Sequence, residues 1–265
     1  MTDPIPLRFG VVVGRAESGA AWTAAARRIE EQGFDLLLVP DTAWTPSPFP
    51  ALAAAAAVTG RLHLATWVLA SPFRTIGALV REVAALQHLA DGRFEVGLGT
   101  GRPGAEEDAR RLSVAWGSPA ERLSQLLDAV QAVRAGVAPV PEVTIAASGP
   151  RSLAAAGEVA DTVALALPPT ATVADVQVAA ARVREAGGAP ALALQLSGVG
   201  GRWIDRLARS TPPDEVAARS AAFLRGDAAA MAEQLTALAA ATGVTTFPVA
   251  QEHADAFAPV LALLR

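Results

Sequence analysis

The 265-residue chain contains no lysine, asparagine, cysteine or tyrosine, so all 22 of its basic residues are arginine. Each absence removes a chemistry. Without lysine there is no Schiff base, which excludes pyridoxal phosphate enzymes and lysine-type aldolases. A Walker A phosphate loop is excluded for the same reason. Without cysteine there is no thiol nucleophile, no disulfide and no thiolate-held metal. Without tyrosine no phenol serves as a general acid. Codons for Lys, Asn and Tyr are rich in A and T, so a GC-rich genome depletes all three; the exclusions hold whatever the cause. Asp, Glu, Arg, Ser, Thr, Trp and three His remain. That set suits a protein that takes its reactivity from a bound cofactor.

Charge and hydropathy narrow the class further. The net charge is −4 and no basic stripe is present, so nucleic acid is not an expected partner. Hydrophobic residues make up 52% of the chain. A chain of this size buries roughly 70–75% of its unfolded surface. The most apolar stretch, Ala51 to Val58, is too short to span a membrane. Met1 to Arg8 has no apolar segment of the secretory kind. The expectation is a cytoplasmic protein with no membrane contact.

Eight short, near-continuously apolar runs recur along the chain: Leu7–Val13, Asp35–Val39, Leu62–Leu69, Arg93–Leu98, Glu142–Ala147, Thr162–Ala166, Ala191–Leu196 and Val244–Val249. Strands of a parallel sheet covered on both faces read this way. Helices with legible ends lie between them. Ser118-Pro119-Ala120-Glu121 is a capping box with Pro at the first helical position, and the helix it opens stops at Gly136. Thr172 to Asp175 repeats the box, and Asp227 opens a helix followed by Gly243. The gaps after the fourth and seventh runs are long and are expected to hold extra loops or short helices. Eight strands alternating with helices predict an α/β fold, a (β/α)₈ TIM barrel of one domain over 1–265. A doubly wound open sheet is the alternative.

In a barrel, chemistry sits on the loops that follow the strands. After the fourth run, Gly99, Gly101 and Gly104 fit G-x-G-x-x-G, but a dinucleotide fingerprint belongs to the first strand–helix turn of an open sheet. These glycines serve either a close approach to a flat ligand or a tight turn. After the fifth run, Ser148-Gly149-Pro150-Arg151-Ser152 offers a helix start, two hydroxyls and an arginine. That is a phosphate-binding set or an ordinary cap with a surface arginine. After the second run, Asp41, Thr42 and Trp44 form a site lining or a turn. His63, His88 and His253 stand at no metal-ligand spacing, so no metal is expected. Glu106, Glu107 and Asp108 read as a solvated first helical turn.

Together these segments resemble the bacterial luciferase-like family of flavin- or deazaflavin-dependent oxidoreductases. The resemblance rests on Gly33-Phe34-Asp35 with Val39-Pro40-Asp41 and on Ala90-Asp91-Gly92-Arg93-Phe94-Glu95-Val96-Gly97-Leu98-Gly99-Thr100-Gly101. Ile145 to Ser152, Ala160-Asp161 and Gly226-Asp227 add to it. It implies a (β/α)₈ barrel that binds reduced FMN or the deazaflavin coenzyme at its mouth. It further implies that Ser148, Gly149, Arg151 and Ser152 hold the cofactor phosphate. Thr100 and Gly101 would lie beside the ribityl chain, Thr66 near the ring, and a non-proline cis peptide within Ala65–Val68. Gly99-Thr100-Gly101 leans towards the deazaflavin. Many members carry His where this chain has Thr42, and the segment before the fifth strand, Gly136 to Val140, is short for the family, as is the whole chain.

The resulting expectation is a monooxygenase-class oxidoreductase acting on an unknown small organic substrate. Asp41 and Thr42 are its catalytic candidates. Arg74, Arg102 and Trp203 are candidate substrate contacts, with residues 197–225 acting as a lid. A homodimer is expected, with a flavin or deazaflavin reductase as the source of reduced cofactor. Two alternatives stand beside it: a non-catalytic flavin-binding barrel, and a phosphate-handling barrel isomerase or lyase.

Overall fold

The computed structural model describes residues 6–205 and 214–265. Its main sheet is a closed parallel barrel. The staves, in order around the wall, are β1 (Arg8–Val12), β2 (Leu36–Val39), β3 (His63–Thr66) with β4 (Leu69–Ala70), β5 (Phe94–Gly99), β6 (Val143–Ala147), β7 (Thr162–Leu165), β8 (Ala191–Ala193) and β11 (Val244–Ala250). β11 pairs with β1 from Arg8↔Thr246 to Val12↔Ala250 and closes the ring. The open-sheet alternative is thereby set aside. Each of the eight apolar runs supplies one stave. The third run is split: between the pairs Ala65↔Glu95 and Leu69↔Leu98, four steps on one strand face three on the other. One residue is extra, and the stave breaks at the bulge. The Trp67–Val68 peptide inside this break is cis, within the segment for which the resemblance implies one.

The helices form where their ends were legible. α1 (Gly19–Glu31) is capped by Ser18. α2 (Pro48–Ala56) and α3 (Ile76–Leu89) follow β2 and β4. α5 (Pro119–Gly136) begins with the Ser118/Glu121 capping box, and α7 (Val173–Glu185) with the Thr172/Asp175 box. α6 (Pro150–Val159) has Gly149 as its cap and Pro150 in its first turn. Asp227 caps the helix Ala228–Thr242, and Gly243 ends it at φ 76°. The two long gaps hold α4 (Ala105–Arg111) and, later, the hairpin β9 (Gly198–Val199) and β10 (Arg202–Trp203) with the short helix Asp214–Arg219. Part of the expected lid, 206–213, lies outside the described residues.

The main core lies between the barrel wall and the helices. At the closing seam, Phe9 packs on Phe247 (6.1 Å) and Phe257 (5.5 Å), and Phe257 packs on Phe34 (6.2 Å). Burying such a ring contributes roughly 1.5–3 kcal/mol, so the seam that unites the ends of the chain is among its best packed parts. Inside the barrel, Leu36, Leu38 and Ala65 pack together, with Val12 and Trp67 against them. A Cβ at Gly97 would overlap the Thr66 carbonyl oxygen, so only glycine lets β5 lie this close to β3. Among the described residues, no helix is long and apolar enough to cross a membrane.

The opposite end of the barrel is sealed by charge. Glu95 is buried and its carboxylate meets Arg8 (2.5 Å) and His63 (2.8 Å). Burial by itself would raise this carboxyl. The His63 hydrogen bond and the Arg8 charge more than offset it and hold Glu95 below the ordinary value of 4.5. Glu142 moves the other way: partial burial and repulsion from Glu95 raise it.

Candidate functional site

Every strand delivers its carboxyl end to one mouth, and a cavity of about 410 Å³ opens there. Its wall combines Pro40, Asp41 and Thr42 after β2, Trp67 to Ala70 around the split stave, Gly99 to Pro103 after β5, and Ser148 and Ser152 after β6. The sequence candidates Asp41, Thr42, Thr100, Gly101, Arg102, Ser148 and Ser152 thus converge on one space. Their local structures explain how. Strand ends meet helix starts here, and glycine permits the turn between β5 and α4: Gly101 and Gly104 have φ of 93° and 80°. Of the two readings of that loop, the turn is what its backbone dihedrals display.

The phosphate-binding candidate is a helix start at the rim. Gly149 caps α6 in extended conformation, and the amide of Leu153 is the first to bond within the helix, to the Gly149 carbonyl (2.9 Å). Arg151 and Ser152 amides precede it in the first turn, where backbone donors lack helical acceptors. Pro150 has no amide hydrogen to offer. Ser148 and Arg151 are both exposed. The Ser152 hydroxyl is occupied, since it donates to the Gly149 carbonyl at 3.0 Å. A groove beside this turn, of about 710 Å³, carries no carboxylate among the described residues that line it; Thr100, Leu123, Leu127 and Arg151 are on its walls.

Five candidates are off the cavity wall: Gly149 and Arg151 line the adjoining groove, and Thr66, Arg74 and Trp203 are turned elsewhere by tertiary packing. Thr66 is fully buried and off the cavity wall. Its hydroxyl donates to the Gly97 carbonyl (2.8 Å) and accepts from the Gly97 amide (2.8 Å), stitching β3 to β5. Arg74 is also absent from the wall. Its guanidinium grips Asp41 at 2.6 and 3.3 Å, contacts Glu82 at 3.4 Å and lies 5.6 Å from the Phe49 ring. Trp203 stacks on Phe223 at 4.3 Å and is buried in a small cluster with Ala217, so it faces the segment's own core.

Asp41, Thr42 and Arg102 keep the cavity but already have partners. Asp41 accepts from the Ala70 amide (3.3 Å) as well as from Arg74. The Thr42 hydroxyl lies 3.0 Å from that of Thr45. Arg102 pairs with Asp108 (2.5 Å) while its flat face lies 4.4 Å from the Trp44 ring centre. Asp108 is therefore buried beneath Arg102, and the expectation of a wholly solvated first turn for α4 fails at that residue. Glu107 does remain at the surface, paired with Arg110 and Arg111.

Two residues, Gln195 on the wall and Trp116 behind the β5–α4 loop, carry no sequence motif. Gln195 lies just beyond β8 and accepts a hydrogen bond from the Trp67 indole at 3.0 Å. Its signal was present as the one polar side chain in Ala191–Leu196. Trp116 packs against Phe73 (6.1 Å) and under Arg122 (4.4 Å), and Arg122 donates to the Thr100 carbonyl (3.0 Å). No motif signals that contact, because it joins segments that only the fold brings together.

Comparison with known proteins gives three kinds of match. A family model described as luciferase-like monooxygenase matches residues 5–255. An uncharacterised protein of Mycobacterium tuberculosis (strain H37Rv) is 30% identical over 119 residues, covering 36% of this chain and 42% of that protein. The Mycobacterium bovis counterpart matches to the same extent. Under half the length of these curated relatives is thus matched. Among solved structures, the coenzyme F420-dependent tetrahydromethanopterin reductase of Methanopyrus kandleri superposes with a TM-score of 0.77 at 16% identity, over 98% of this chain and 100% of that one. The oxygenating constituent of 3,6-diketocamphane monooxygenase from Pseudomonas putida, solved with FMN, gives 0.72 at 15% identity over 97% and 95%. These two establish a shared fold.

Proposed function

The chain belongs to the luciferase-like monooxygenase family, and from that premise we propose that it is an oxidoreductase using reduced FMN or a deazaflavin coenzyme on a small organic substrate. The observation that carries the reading is the start of α6 at the mouth. There Ser148 on the cavity wall adjoins the first-turn amides of Arg151 and Ser152, and the Arg151 side chain lines the neighbouring groove. A helix N-terminus with an arginine suits a phosphate, and both cofactor types carry one at the end of a polyol chain. The donor set therefore fits the group.

When bound, the ring supplies the redox chemistry. The chain's own residues bind and orient it. Ser148, Gly149, Arg151 and Ser152 hold the phosphate, Ser152 through its amide. Thr100 and Gly101 line the path from phosphate to ring. Thr66 acts from behind the wall by holding β3 against β5. Asp41 fixes the Ala70 backbone, and Thr42 offers a hydroxyl at the rim. Arg74 orients Asp41. Between the two cofactors we favour the deazaflavin, on Gly99-Thr100-Gly101. A homodimer and a separate reductase that supplies reduced cofactor complete the proposal.

One observation favours a second reading, a barrel that binds flavin without turnover: Thr42 stands where many members carry His. Titration of the purified chain with FMN and with the deazaflavin, each oxidised and reduced, separates the two. Micromolar binding of a reduced cofactor, with turnover, supports the oxidoreductase. Tight binding of oxidised FMN with no oxygen or hydride chemistry supports the second reading. Binding of neither cofactor overturns both.

A further inference from the structure

Beside the mouth cavity lies a second space that the cofactor reading leaves unassigned. It is a chamber of about 250 Å³ on the β7–β8 side, sharing Trp67, Val68, Ala146, Ala166 and Gln195 with the mouth. It points away from α6: Ser148, Arg151 and Ser152 are absent from its lining. Its walls are Ala164, Leu165, Leu194 and Leu196 with the turn Leu167–Ala171, and Ile204 and Ala222 cover it. Among the described residues that line it there is no charged side chain.

The hydrogen-bond donors of the chamber wall are largely taken up within the protein. The Ser197 hydroxyl donates to the Pro169 carbonyl at 3.3 Å. The amides of Ala166, Leu167, Leu194, Leu196 and Ile204 each have a backbone acceptor. The Trp67 indole is held by Gln195 Oε1. Because Oε1 takes that bond, the Gln195 amide group is oriented, and its Nε2 has no partner among the described residues. This donor, on a side chain held by one hydrogen bond where the two cavities meet, is left to be met by a ligand acceptor.

We propose that this chamber is the substrate site and that it selects an uncharged, compact molecule with a hydrogen-bond acceptor, a carbonyl or ether oxygen, set against Gln195 Nε2. Its designation as a substrate site rests on the proposed oxidoreductase; the ligand chemistry rests on the chamber alone. The size follows by proportion. An apolar cavity of about 150 Å³ takes a benzene ring, so this one takes a molecule of roughly ten non-hydrogen atoms. A carboxylate or ammonium would be desolvated there without a countercharge, which is strongly unfavourable.

The test uses three probes of equal heavy-atom count: acetophenone, its hydrocarbon analogue isopropylbenzene, and benzoate. Each is titrated into the whole chain by ligand-observed NMR, with and without bound FMN or deazaflavin. Acetophenone is expected to bind, isopropylbenzene about fivefold more weakly, as for loss of one neutral hydrogen bond, and benzoate not measurably. Gln195→Leu should erase the acetophenone preference. Ala222→Leu and Ala171→Leu, which fill the chamber, should each weaken acetophenone at least about tenfold, with cofactor affinity kept. Benzoate binding as tightly as acetophenone, a preference that survives Gln195→Leu, or no acetophenone binding under either condition overturns the inference. Cofactor binding is read separately, so a chamber that binds acetophenone in a chain that binds no cofactor overturns only the proposed redox function.

Discussion

The indole of Trp67 reaches across the barrel to Gln195. The two residues follow the third and seventh of eight staves, on opposite sides of the ring, and their side chains meet at 3.0 Å. This one hydrogen bond lies where the mouth cavity and the neighbouring chamber join. Trp67→Phe removes the donor while keeping an aromatic ring. The expected cost is about 1 kcal/mol of folding stability, read by urea denaturation, together with a loss of the acetophenone preference because the Gln195 amide is no longer oriented. A preference unchanged in Trp67→Phe would show that the bond does not position Gln195.

The phosphate cradle makes a separable prediction. Ser148→Ala combined with Arg151→Ala should weaken FMN or deazaflavin binding by about 1.5–3 kcal/mol. Both side chains are exposed, so stability should hardly change. Fluorescence titration checks the affinity and a thermal melt checks the fold. Undiminished affinity in the double variant removes the assignment of α6.

Asp41 and Arg74 read from sequence as two independent functional candidates, but they form one bidentate pair. With Asp41 and Arg74 only 10% and 17% exposed, removing either leaves a poorly solvated charge. Asp41→Asn should cost about 3 kcal/mol, the low end for breaking a buried pair. The double variant Asp41→Asn/Arg74→Gln should cost less than the sum of the single changes. Simple additivity in chemical denaturation would mean that the two side chains do not couple.

The sealed end of the barrel predicts a dependence on acid. Glu95 titrates below 4.5 in the folded protein and near 4.5 when unfolded. A depressed carboxyl stabilises the fold above its unfolded value, and that contribution is lost as pH falls through the folded one. Stability of the native sequence should therefore drop on acidification below about pH 4.5. Glu95→Gln should be less stable at neutral pH by roughly 3–5 kcal/mol and should show a shallower acid limb. Parallel melting curves for the two proteins between pH 6 and pH 3 would contradict this role.

Gly101 needs its conformation for a reason the motif did not reveal. It has φ 93°, and an added Cβ would run into the Trp116 ring. Gly101→Ala should destabilise the chain by at least about 1–2 kcal/mol and weaken cofactor binding through the displaced Thr100 loop. A melting temperature within error of the parent would show that the loop yields freely.

Much of the architecture was legible in order of sequence. Eight apolar runs became eight staves, and Ser118, Thr172 and Asp227 capped the helices they preceded. These features are local: strand periodicity, a capping hydroxyl and a proline in a first turn act within a few residues, so a linear reading captures them. The loops that carry Asp41, Thr100, Ser148 and Ser152 were legible for the same reason, since the barrel's topology sends every strand end to one mouth. The fate of individual side chains was not. Thr66 turned to Gly97, Arg74 to Asp41, Trp203 to Phe223 and Trp67 to Gln195. Each of these is a contact between segments 20 to 128 residues apart, made because a buried polar group must find a partner or a ring must leave water. The missing Lys, Cys and Tyr excluded whole chemistries from sequence alone; which of the remaining groups stand ready for a ligand was decided by which of them the tertiary structure had already satisfied.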